Sequence, residues 1–124
     1  MFFKALKGKL QNARVTDASI DYTGSIAIDA DLMESIGILP HESVVVADVE
    51  NGNRFETYAI RGEARSGVIC VNGAAARLVE IGHRLIILNF AFYNADEIRS
   101  LQPRIVVLDE HNQPLEIQGS MKSE

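Results

Sequence analysis

Short apolar runs that alternate with polar residues, interrupted about every ten positions by Gly, Asn or Pro, run through this chain from end to end. The alternation predicts a strand over residues 2–16, with Leu6, Leu10 and Val15 turned inward and Gly8 marking a bend or a close approach. Lys9 then points away from the face that takes Leu10. Residues 16–18 read as a turn or one helical turn, Ile20 and Tyr22 as extended, and Ser25 as the opening of a strand through Ile28. One segment breaks the two-residue period. Leu32, Met33 and Ile36 form a helical stripe over residues 30–36, with Asp29 able to cap the free amides and Gly37 supplying the stop.

Strands resume at 43–50 and 53–60, joined by Asn51-Gly52, the strongest hairpin signal in the sequence. A turn at 62–66 leads to a strand at 67–71, and Asn72-Gly73 opens an alanine-rich helical turn at 74–77. A strand at 83–92, a brief helix capped by Asn94, and strands at 104–108 and 115–117 complete the pattern. Many short strands with only fragments of helix favour a compact all-β barrel over a sandwich with long loops. No repeat or linker divides the chain, so residues 1–118 read as one domain and 119–124 as a flexible polar tail.

Composition narrows the function. A chain of 124 residues can bury a sizeable core, and with no Trp that core must be Val, Ile, Leu and Ala. The net charge of -5 argues against a nucleic-acid surface. Lys4, Lys7, Lys9 and Arg14 nevertheless share the first 16 residues with no acid among them, which suits a small anionic substrate. Cys70 is the only cysteine, so an intrachain disulfide and a multi-cysteine zinc site are excluded; in Val68-Ile69-Cys70-Val71 it reads as a buried structural thiol. His41, His83 and His111 follow no metal-ligand spacing. No apolar signal region and no stretch long enough to cross a bilayer is present, so a reducing, soluble compartment is expected.

Candidate chemistry gathers at three places. Tyr22-Thr23-Gly24-Ser25 sets a hydroxyl beside a sterically open carbonyl, where a chain could modify itself. In Arg54-Phe55-Glu56-Thr57-Tyr58, the guanidinium can grip a carboxylate through two parallel hydrogen bonds. A tyrosine hydroxyl, protonated at neutral pH, can deliver a proton to a carbanion formed next to it. Thr57 and Tyr58 are neighbours, so on a regular strand only one of them reaches a given site. Asn72-Gly73-Ala74-Ala75-Ala76 puts an amide and a glycine at the mouth of a helical turn, whose backbone N–H groups can hold an oxyanion, or which is simply an Asn-capped turn. Dinucleotide, P-loop and G-x-S-x-G spacings are all missing.

Together these pieces resemble the aspartate 1-decarboxylase family, small pyruvoyl-dependent enzymes that make β-alanine for pantothenate synthesis. The resemblance runs through Gly8-Lys9-Leu10, Tyr22-Thr23-Gly24-Ser25, Ala27-Ile28-Asp29, residues 51–60 and residues 71–76, in order and over most of the chain. Gln11, Arg14 and Thr23 depart from the family's commoner histidine, lysine and glutamate. The resemblance implies a double-psi β-barrel, a cytoplasmic homotetramer with active sites between subunits, and self-cleavage between Gly24 and Ser25. Ser25 is then the nucleophile and afterwards a pyruvoyl group, the covalent cofactor that condenses with the amine of L-aspartate. Tyr58 is implied as proton donor, and Lys9, Arg54, Thr57, Asn72, Gly73, Ala74 and Ala75 as substrate-binding residues. Tyr22 shapes the cleavage loop, and a maturation factor belongs to some members. No metal is implied. Two rival readings are an uncleaved barrel serving as a scaffold or regulatory subunit, and a DNA-binding regulator; the second lacks the basic face it needs.

Overall fold

Nine strands, two short α-helices and one 3-10 helix follow one another in the computed structural model, which describes residues 1–118. The tail expected at 119–124 lies outside the described residues. The strands are β1 (Phe3–Arg14), β2 (Asp17–Ser19), β3 (Ser25–Asp29), β4 (Ser43–Asp48), β5 (Arg54–Gly62), β6 (Ile69–Asn72), β7 (Arg84–Tyr93), β8 (Arg104–Leu108) and β9 (Pro114–Gln118). Helix α1 spans Ala30–Ile36, α2 spans Ala95–Ser100, and the 3-10 helix spans Gly73–Leu78. All strands join in the order β2-β6-β3-β5-β4-β7-β1-β8-β9. Three pairs are parallel (β1 with β8, β2 with β6, β3 with β5) and the rest antiparallel. The fold is strand-dominated, with little helix.

The two-residue period explains which faces are buried. Leu10, Ile26, Ile28, Val46, Ile69 and Ile87 are wholly inaccessible, each worth about 1.5–3 kcal/mol of burial. Lys9 and its alternating neighbours on β1 stay half-buried. Helix α1 packs Leu32, Met33 and Ile36 into this core; Asp29 accepts from the Asp31 N–H at its start, and Gly37 ends it in the left-handed conformation. Gly8 is both a bend and a close approach: the register of β1 shifts there, and a Cβ would stand 2.5 Å from the Ile36 carbonyl oxygen.

Several local expectations give way to tertiary pairing. Residues 17–19 form a strand rather than a turn, because the Thr16 hydroxyl donates to the Ile69 carbonyl and accepts from the Ile69 N–H, locking the segment beside β6. Ile20 and Tyr22 are in a turn and a bend rather than an extended segment, since the chain must reverse between β2 and β3. The strand expected at 67–71 begins at Ile69, and the helical turn widens to six residues. The Asn51-Gly52 signal does join two antiparallel strands, through a loop closed by Asp48 N–H donating to the Asn53 carbonyl at 2.8 Å.

At that hairpin the buried Asp48 carboxylate accepts from the Glu50 N–H and meets His83 Nδ1 at 2.7 Å. The hydrogen bond to Asp48 raises the His83 pKa above its ordinary value, with Asp48, Glu80 and Glu50 charges adding to it and desolvation opposing. A raised folded pKa means protonated His83 favours the folded state. That contribution is complete below the ordinary histidine value of about 6.5 and is lost as pH rises through the raised one. The urea midpoint of the wild type should therefore exceed that of His83→Gln most at low pH, with the margin shrinking upward. A margin that grows with pH would contradict the assignment.

Candidate active site

Ser25 opens β3 with its neighbours already fixed by register. It lies opposite Asn72 of β6, and the next residue, Ile26, pairs with Ala59 of β5, so Tyr58 comes level with Ser25 on the other side. Ile26, Val71 and Ala59 point into the core, which turns Ser25, Asn72 and Tyr58 together onto the opposite face. Tyr22, Thr23, Ser25, Tyr58, Ile60 and Asn72 line a cavity of about 250 Å³ there. A slightly larger hollow of about 290 Å³ between Lys7, Gly37, Tyr93 and Arg104 contains no hydroxyl nucleophile beside an open carbonyl, so it is the weaker candidate.

The polar contacts around Ser25 form a directed chain. Its hydroxyl donates to the Thr23 carbonyl at 3.3 Å and accepts from Asn72 Nδ2 at 3.2 Å, while Asn72 Oδ1 accepts from Cys70 Sγ at 3.3 Å. Ser25 and Asn72 are 3% and 4% exposed, which shields these weak interactions from water. Asn72 makes no side-chain cap to the 3-10 helix, so the simple Asn-capped turn is not its role. Desolvation pushes the Cys70 thiol pKa up, with the Asp17 charge adding to it.

Gly24 and Gly73 shape the backbone beside Ser25. Apart from its chain neighbours, no atom lies within 4 Å of where a Gly24 Cβ would stand, so that side of the residue is open. Gly73 is left-handed at φ 82°, and a Cβ there would meet Gly24 Cα at 2.6 Å and Gly24 N at 2.9 Å. The two glycine-bearing motifs thus touch, and only a hydrogen side chain permits it. Asn51 and Asn53 donate through Nδ2 to the Leu78 carbonyl at 3.0 and 2.9 Å, tying the hairpin before Arg54 to the far end of the 3-10 helix.

The remaining predicted residues are distributed unevenly. Tyr58 lines the cavity, whereas Thr57 sits on the inner face of β5 with Phe55 and Ala59; the ladder with β4 is regular here, so only one of the pair can reach Ser25. Arg54 is exposed on the Tyr58 side of β5, near the start of the strand. Ala74 and Ala75 follow Gly73 in the first turn of the 3-10 helix, and Tyr22 is largely exposed at the cavity mouth. Lys9 is on β1, with β5, β4 and β7 between it and β3 in the sheet. Among the described residues no three His, Cys, Asp or Glu side chains converge on a metal position, and no helix is long and apolar enough to cross a membrane.

The sequence pattern of the family described as aspartate decarboxylase matches residues 1–115. The chain belongs to this family. It is 48% identical over 122 residues to an aspartate 1-decarboxylase of Acetivibrio thermocellus, covering 98% of this chain and 97% of that protein. Similar proteins called aspartate 1-decarboxylase occur in Bacillus cereus, 46% identical across 99% of this chain and 97% of the relative, and in Lactiplantibacillus plantarum, 49% identical across 90% and 86%.

The geometry adds three neighbours to the motif residues. Ile60 reaches the cavity because it is two residues beyond Tyr58 on β5, and Cys70 reaches Asn72 by the same two-residue step on β6. His41, in a left-handed conformation at φ 76°, holds its ring 6.4 Å from that of Tyr58. Period-two counting from the motif residues would have found the first two; nothing local announces the third.

Proposed function

We propose that this chain cuts itself between Gly24 and Ser25 and then decarboxylates L-aspartate to β-alanine with a pyruvoyl group made from Ser25. The observation carrying this reading is the Ser25 hydroxyl, held between the Asn72 amide and the Thr23 carbonyl in a cavity faced by Tyr58. In self-processing, Ser25 Oγ bonds to the Gly24 carbonyl carbon, the Gly24–Ser25 C–N bond breaks, and the hydroxyl proton ends on the freed amine. Loss of the Ser25 Cα proton with cleavage of Cβ–Oγ leaves the Gly24 carboxylate and an unsaturated residue 25. Water then replaces its nitrogen, which departs as ammonia. Gly24 leaves the attacked carbonyl uncrowded, and the Asn72 amide can hydrogen-bond the serine oxygen as its proton departs.

The surroundings fit a small planar ketone at residue 25. Ser25 starts a strand, so a new chain end there stays in register with β5 and β6, and the cavity is open on the side away from the core. Asn72 and the Gly73–Ala75 backbone hold the group, and Ile60 and Tyr58 border it. When formed, the pyruvoyl carbonyl supplies an electron sink for the pair released with carbon dioxide. Tyr58 gives its hydroxyl proton to the carbon that loses the carboxylate. Lys9 and Arg54 bind substrate carboxylates, and Thr57 assists binding. From the family resemblance the reading takes a homotetramer whose neighbouring subunit completes the cavity, and strands closed as a double-psi β-barrel. A neighbouring subunit would supply a Lys9 to the cavity although Lys9 is remote from β3 in sheet order.

Incubation of the purified, cleaved chain with L-aspartate and no added cofactor should release β-alanine; a fully cleaved chain that releases none would contradict the reading. Two substitutions test its parts. Arg54→Lys keeps the charge but loses the two-pronged grip, so cleavage persists while kcat/KM falls roughly 10- to 100-fold, the cost of about one charged hydrogen bond. Unchanged kcat/KM would remove Arg54 from the site. Gly73→Ala forces a methyl against Gly24, so cleavage should slow by at least about tenfold, as expected when reacting atoms are displaced by a fraction of an ångström. A wild-type cleavage rate in that variant would mean the contact does not matter.

A further inference from the structure

Asn72 can present either end of its amide to Ser25, and the two ends have opposite effects. Ser25 has one hydroxyl proton, and it goes to the Thr23 carbonyl. The oxygen must therefore accept from its other neighbour, which requires Nδ2 rather than Oδ1 to face it. A flipped amide would set a carbonyl oxygen against Oγ, compete for the proton, and repel the negative charge that grows on Oγ during attack.

We propose that Cys70 is a positioning residue for cleavage of the Gly24–Ser25 bond, fixing the Asn72 amide so that its nitrogen faces Ser25. The proposal rests on the self-processing reading above. Cys70 and Asn72 are two apart on β6 and share its outer face; Cys70 lies opposite Ala27, whose small side chain leaves the thiol room beside the Ser25 row. The thiol is a donor, and its Sγ is 3.3 Å from Asn72 Oδ1. Its raised pKa keeps the proton in place, so it stays a donor at neutral pH. With the amide oxygen occupied by Cys70, only Nδ2 remains for Ser25. Cys70 does not itself line the cavity, and the lining residue its thiol contacts is Asn72, so it acts through Asn72.

The test follows cleavage of freshly purified precursor by denaturing mass spectrometry, with melting temperatures measured alongside. The chains are wild type, Cys70→Val, Cys70→Ser, Asn72→Ala and the Cys70→Val/Asn72→Ala double variant. Valine keeps the bulk without a donor, so Cys70→Val should cleave about three- to tenfold more slowly, the range for losing one weak hydrogen bond. Cys70→Ser should cleave at the wild-type rate, whatever either change does to melting. In the Asn72→Ala background the valine should have no further effect, because the residue through which the thiol works is gone. Wild-type cleavage in Cys70→Val, no recovery in Cys70→Ser, or the same slowing by valine with and without Asn72 would each overturn the proposal. A wild-type chain that stays whole is a separate result, which overturns the self-processing reading and this proposal with it.

Discussion

Replacing Ser25 with alanine is expected to give a folded 124-residue chain that stays whole and forms no detectable β-alanine. Alanine removes the hydroxyl oxygen placed beside the Gly24 carbonyl to attack it, and with it the leaving group whose loss from Cβ opens the way to the catalytic ketone. The fold should tolerate the change. Ser25 is buried, and losing its contacts leaves Asn72 Nδ2 without its acceptor at a cost of about 1–3 kcal/mol, modest beside the core formed by Ile26, Ile28 and Val71. A slightly lowered melting temperature, one intact mass and no activity are therefore expected together. Normal β-alanine production by Ser25→Ala would remove the proposed electrophile whatever the fold.

Tyr58→Phe should separate the two halves of the chemistry. The phenylalanine ring keeps the cavity wall and the packing near His41, so the chain should melt normally and still divide at Gly24–Ser25. Without the hydroxyl, the carbon that loses carbon dioxide has no positioned proton donor, and kcat should drop about 10²- to 10⁴-fold. KM should change little, since the ring is not assigned to a carboxylate. An unchanged kcat would transfer proton delivery to another group. A chain that fails to cleave would show that Tyr58 serves processing as well.

The strand pattern was legible because the core alternates along most strands; β1 is the exception, where register shifts at Gly8 and before Ala13 leave Leu6, expected inward, only half-buried. Leu10, Ile26, Ile28, Val44 and Val46 all occupy the inward positions that period two assigns, and α1 announces itself through Asp29 and Gly37. Residues 17–22 were misread for the opposite reason. Their own sequence favours no one conformation, and the decision falls to Thr16 bonding Ile69, 53 positions away. Asn112 does stand in a turn, but its sequence does not announce that it is buried and links Arg14 and Gly67 by accepting from the Arg14 N–H and donating to both carbonyls. The sequence motifs marked Ser25, Tyr58, Asn72 and Gly73, which do meet. They could not say that Thr57 would turn inward or that Lys9 would be remote in the sheet, because those follow from ladder register and strand order.

The account depends on one peptide bond, so the mass of the denatured wild-type protein after prolonged warm incubation is its most direct test. The account predicts two fragments, residues 1–24 and residues 25–124, with the larger lighter than a serine-started chain by the mass of ammonia and lacking a reactive amine at its start. A catalytically active preparation that still shows one undivided 124-residue mass, with Ser25 joined to Gly24, would contradict it.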